Sequence, residues 1–219
     1  MKKAVAISLT ILIISCSENF HSKIVPTPEI LNTDNSFLSV MKTTKLITEK
    51  FDVLAETIDS AKKQKLVDLS KNFSNGSNYD ELVSILGYSD TNEFEKVNKG
   101  FFEKLNKLND KYLDLFKKNE GTYRDAVNLY NSKLFESEDY TNSYSAKRSP
   151  VCNGKLVVCT RSYNDCRTLA ETGFAEGSWE CAGGAIWWPG AWAACQATVF
   201  LMYSADMTDC NDDFLKCCP

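Results

Sequence analysis

Eight of the nine cysteines in this 219-residue chain lie between Cys152 and Cys218, and that crowding constrains the fold more than any other feature. They are Cys152, Cys159, Cys166, Cys181, Cys195, Cys210, Cys217 and Cys218. An even set packed into so short a segment reads as a disulfide framework, which compensates for a core too small to hold itself. Eight thiols allow on the order of a hundred pairings. Excluding a strained bridge between the neighbours Cys217 and Cys218 removes about 15 of them and leaves about 90. Spacing alone chooses none. Zinc is the competing use of such thiols, but the chain has no C-x-x-C pair and no histidine near them. Its one histidine, His21, falls in a polar stretch far upstream and is assigned no role.

The ninth cysteine belongs to the N-terminus, MKKAVAISLTILIISC. Lys2 and Lys3 form a basic start and Ala4 to Ile14 an apolar run too short to span a bilayer, the layout of an export signal. Ile13, Ile14 and Ser15 before Cys16 resemble a bacterial lipobox, in which the cysteine thiol takes a diacylglyceryl (palmitate-type) lipid and becomes the mature end. The expectation is a signal peptide over 1–15 and a lipid-anchored protein of the bacterial cell envelope, at the outer membrane or cell surface.

Residues 16–34 are polar and contain Pro26 and Pro28, as a flexible tether would. Residues 35–135 are patterned as helices. Ile47, Phe51, Leu54, Ile58, Leu66, Leu69 and Phe73 make one apolar stripe, on a helix that is long and open to a break. SNGSN at 74–78 ends it, a short helix follows over 79–86, and Gly87 is placed to stop that one. Asp90 and Glu93 have N-cap and N3 spacing, and Phe94, Val97, Phe101, Leu105, Leu108, Tyr112 and Leu115 continue a clean stripe. Gly121 is expected to end that helix and Thr122 to cap the next, which carries Tyr123, Val127, Tyr130 and Leu134. Narrow stripes of this kind suit an antiparallel bundle. Residues 136–150 have almost no aliphatic side chain and read as a linker. Lys147 and Arg148 close it, either as two solvated charges or as a processing site in an exposed loop.

In the cysteine region, 151–219, Asn153-Gly154 beside the β-branched run before Thr160 predicts a hairpin turn. Beyond it the pattern is helical. Cys159 and Cys166 are seven apart, as are Cys210 and Cys217, so each pair falls on one helix face. Leu169, Ala170 and Phe174 lie on the side of Cys166. Pro189 is suited to open a helix through Ala205 with Trp192, Cys195, Val199 and Met202 on one face, and 206–218 forms a last short helix. Cys181 to Ala205 contains no charged residue, yet glycines, a proline and two cysteines inside it argue for a stapled core over a membrane span. Trp187, Trp188 and Trp192 at the WWPGAW turn are expected to be exposed, as a contact for a membrane interface or a partner protein. The fold class is thus mainly α: an N-terminal antiparallel helical bundle followed by a small disulfide-rich, mostly helical C-terminal domain.

This cysteine layout, with its apolar Gly/Ala/Trp stretch from the fourth cysteine through the fifth, resembles the halocin-type and fulvocin-related cysteine-rich bacteriocins. The resemblance covers about a third of the chain. It implies that Ser149–Pro219 is an antimicrobial, membrane-active peptide released and secreted after Lys147-Arg148, and that residues 35–135 are the retained part of the precursor. The lipobox and the acidic C-terminal region depart from that pattern.

Charge and composition narrow the remaining classes. Removing Lys2 and Lys3 with the signal takes the net charge from −4 to −6, and neither half is basic, so nucleic acid is not an expected partner. A histidine-based nucleophile cannot be assembled in either half, and the chain is read as a non-enzyme without cofactor or metal. Asp206, Asp209, Asp212 and Asp213 lack the glycine turn of a calcium loop and read as a solvated helix end. Three readings remain open: a bacteriocin-like precursor, an uncleaved surface lipoprotein that binds an envelope partner, and a structural envelope protein.

Overall fold

The computed structural model describes residues 24–72, 78–112, 115, 120–136, 156–182 and 188–217. Among these the protein is mainly helical: α1 (Pro28–Thr33), α2 (Asn35–Thr57), α3 (Ser60–Lys71), α4 (Tyr79–Ile85), α5 (Thr91–Lys111), α6 (Glu120–Glu136), α7 (Leu156–Ala182) and α8 (Pro189–Cys217).

Short polar side chains set the starts. Thr27 Oγ1 accepts from Ile30 N at 3.3 Å with Pro28 as the first helical residue. Asp34 Oδ1 accepts from Ser36 N at 2.6 Å, and so opens α2 directly after α1 ends. The long stripe predicted from Ile47 onward is divided at Ile58, which is extended (φ −75°, ψ 125°). Asp59 then caps α3, its Oδ1 accepting from Lys62 N at 2.7 Å. Phe73 lies outside the described residues.

The predicted box at α5 forms with one change. Asp90 Oδ1 accepts from Glu93 N at 2.8 Å, but Glu93 Oε2 reaches past Asp90 to the Ser89 amide (2.7 Å) and hydroxyl (2.8 Å). Before it, Gly87 takes φ +80°, which lets the Tyr88 amide bond back to Val83 O at 3.2 Å and end α4.

Several predicted boundaries are corrected. Helix α5 stops at Lys111, with Tyr112 extended, and α6 already begins at Glu120, so Gly121 and Thr122 lie in its first turn and not between helices. Leu156 to Thr160 are helical, not a hairpin strand; Val151 to Lys155 lie outside the described residues. Burial of Cys159 outweighs the weak strand preference of its β-branched neighbours. The separate helix over 206–218 does not exist. No glycine or proline falls between Gly190 and Cys217, and α8 runs unbroken to Cys217.

Helices α7 and α8 form an antiparallel hairpin, and one hydrophobic core joins it to the N-terminal helices. Phe51 of α2 meets Phe174 of α7 edge-on (centroids 5.6 Å) and Phe200 of α8 (4.9 Å), and Phe174 also meets Tyr203 (5.8 Å). Each such ring contributes about 1.5–3 kcal/mol through burial alone. The apolar face of the cysteine hairpin is therefore covered by residues from the other half of the chain.

Candidate functional site

Among the described residues three bridges clamp the hairpin: Cys159–Cys217, Cys166–Cys210 and Cys181–Cys195, each with Cα atoms 5.7 Å apart. The equal seven-residue spacings match in an antiparallel pair, so both outer bridges fall on one seam. Cys152 and Cys218 lie outside the described residues, as do Cys16, Lys147, Arg148, Trp187 and His21.

The two described tryptophans of the expected tip part company. Trp188 is 51% exposed, in keeping with a contact residue. Trp192 is buried, and its assignment to an exposed tip is corrected: the ring stands edge-on to Phe102 (5.6 Å) and Phe101 (6.4 Å) of α5. Its Nε1–H donates to Asn98 Oδ1 at 3.0 Å, and Asn98 Nδ2 donates to Phe94 O (3.0 Å) and the Tyr88 hydroxyl (3.2 Å). Burial pushes the Tyr88 phenol up to about 12, against the Asn98 bond, so it stays protonated. Leu169 and Met202 are read as sharing faces with Cys166 and Cys195. They are 68% and 52% exposed.

A buried polar network ties the hairpin to α2 on the other side. Arg167 of α7 donates from Nη2 to Asp52 Oδ2 (2.6 Å) and from Nε to Glu171 Oε1 (2.8 Å). Lys45 Nζ reaches the same Glu171 oxygen at 2.8 Å, and the Tyr203 hydroxyl donates to Asp52 Oδ1 at 2.6 Å. Burial first, then the Asp52 charge, raises Tyr203 well above the ordinary phenol range, which keeps it a donor. Arg167 is only 1% exposed, so removing its charge leaves Asp52 without its cation and Glu171 with Lys45 alone. Sequence reasoning missed this network. Only the Arg167/Glu171 i,i+4 spacing was visible, and Asp52 and Lys45 are brought in by the tertiary fold.

Beside Asp52 a cleft of about 100 Å3 opens between α2, α7 and α8, lined by Glu56, Tyr163, Ser204, Met207, Thr208 and Asn211. It is smaller than the roughly 300–1,000 Å3 of ordinary small-molecule sites. Among the described residues no group of His, Cys, Asp and Glu is arranged to hold a metal ion, and Asp206, Asp209, Asp212 and Asp213 are spread along the exposed side of one continuous helix. No described helix is long and apolar enough to cross a membrane. No protein-family model matches the chain, and neither the curated proteins nor the solved structures contain a match.

Proposed function

We propose that the chain acts uncleaved, as a lipid-anchored cell-surface protein in which the N-terminal helices and the stapled hairpin together form one non-enzymatic binding or structural module. The observation that carries this reading is the buried seam between the halves: Arg167 on Asp52 at 2.6 Å and Trp192 on Asn98 at 3.0 Å, around a shared core. Splitting such a seam breaks the Arg167–Asp52 and Lys45–Glu171 pairs. It would also expose Phe174, Trp192 and Phe200 to water. The half-exposed Trp188, with Leu169 and Met202 on the hairpin's outer side, supplies apolar groups to a partner protein without opening the core.

A bacteriocin-like precursor is the second reading, favoured by one observation. All described bridges lie within α7 and α8, so a hairpin cut away after Arg148 would keep its covalent fold and bare the apolar face that the N-terminal helices now cover.

Non-reducing intact mass spectrometry of membrane and culture-fluid fractions, from cells expressing the whole gene, separates the two. A single membrane-bound species with acyl mass on Cys16 is the expected result. A released species starting at Ser149 would overturn the uncleaved reading and establish the precursor.

A further inference from the structure

We infer that the N-terminal end of the folded body makes a second, apolar contact with the bilayer that holds its lipid. The proposal rests on the lipid-anchor reading of Cys16 and adds a site to it. Ile24, Val25 and Ile30 are exposed large aliphatic residues, at 47%, 63% and 40%, gathered within seven positions of sequence. Single exposed aliphatics are ordinary; a cluster of them marks an interaction surface.

The fold also fixes the ends of that segment. The Ile24 backbone pairs with Tyr112 in an isolated parallel bridge, at the extended residue that ends α5. The Tyr112 hydroxyl donates to Asp34 Oδ2 at 2.8 Å, and Asp34 follows one turn after Ile30. Lys111, which pairs with the same carboxylate, is 44% exposed beside them. Ile24 thus stands against the end of α5, with Val25 next to it in the chain and Ile30 one helical turn before Asp34.

Chain length decides the occupant. Eight residue steps separate Cys16 from Ile24, and fully extended they span at most about 29 Å. A lipidated Cys16 thus holds the patch within roughly one bilayer core thickness of the headgroups, at an effective concentration that makes even a weak apolar contact persist. Aliphatic side chains gain by entering the headgroup boundary. The bilayer is the one apolar phase that the tether guarantees to be near.

The test uses the full lipidated chain, reconstituted in phosphatidylethanolamine/phosphatidylglycerol vesicles with or without bromine-labelled acyl chains. Val25→Trp adds an indole to the patch, and Leu46→Trp adds one to a 67% exposed position on α2 as the control. The expected result is that bromolipid removes most of the emission added at 25 and leaves that added at 46. Acyl mass on Cys16 is read from the same sample. Acylated protein without quenching at 25 overturns the proposal and spares the anchor. A blue-shifted but unquenched indole at 25 overturns it too, showing the patch covered by protein. Absence of acyl mass overturns the anchor reading, and the proposal with it.

Discussion

Replacing Trp192 with alanine removes an indole packed on Phe101 and Phe102 and leaves Asn98 without its ring donor. Truncating a buried aromatic of this size costs about 3–5 kcal/mol. The Trp192→Ala chain is therefore expected to unfold at clearly lower urea, while Trp188→Ala, at a half-exposed ring, stays within about 0.5 kcal/mol of the parent. Equal midpoints for the two variants would contradict the burial of Trp192. Asp34 makes a different residue-scale prediction. Burial opposes its charge, but bonds from Lys111, Tyr112 and the Ser36 and Phe37 amides outweigh that and lower its pKa from 3.8 to about 2. A lowered native pKa gives stability that is present above the unfolded value and lost as pH falls through the folded one. The contribution, roughly 2 kcal/mol, should thus fade between about pH 4 and pH 2. Asp34→Asn keeps a capping side chain and removes the charge. Urea midpoints for it should be lower at pH 7 and should lose that part of the acid slope; an unchanged slope would place the titration elsewhere.

At the scale of the element, two glycines four residues apart on α7 should respond oppositely to the same change. A Cβ on exposed Gly173 meets nothing within 4 Å, so Gly173→Ala should raise stability by about 1 kcal/mol through helix propensity. A Cβ on Gly177 would lie 3.0 Å from Val199 Cγ2 across the hairpin. Val199 is buried and β-branched, with one favoured rotamer in a helix, so it cannot swing aside. Gly177→Ala should therefore lose about 1–3 kcal/mol to overpacking, more than propensity returns. Thermal midpoints that rise for both would show α7 and α8 free to spread. The same helices show how much of the fold was legible in the sequence. Asp90, Gly87 and Pro189 were readable because a cap, a positive φ and a proline act over a few residues. The equal cysteine spacings held the register of the two outer bridges, although spacing could not select the partners. Trp192 was misread for one reason. Helical period names the residues that share a face, and it does not say which face the rest of the chain covers. Asp52 is distant from Arg167 in sequence, and only packing brings them together.

For the whole molecule, the location of the cysteines in sequence suggests that reduction would unfold the C-terminal region and leave the helices of 35–135 standing. The shared core changes that expectation. Each bridge restrains the unfolded chain by roughly 3–5 kcal/mol on the loop-entropy model, a large part of a typical net stability of about 5–15 kcal/mol. The hairpin is also the floor on which α2 packs, through Phe51 against Phe174 and Phe200 and Asp52 against Arg167. Helix α5 is held to it through Phe102 and Asn98. If the hairpin loosens, α2 and α5 lose their buried partners at the same moment, and short amphipathic helices do not persist without them. Reduced protein should consequently melt far below the oxidised form and in one transition, with far-ultraviolet circular dichroism and near-ultraviolet aromatic signals falling together. Hydrogen exchange sharpens the test: after reduction, amides of α2 and α5 should lose protection in step with those of α7 and α8. Protection retained in α2 and α5 alone would mean that the N-terminal helices fold without the hairpin, as a precursor with a separable peptide requires.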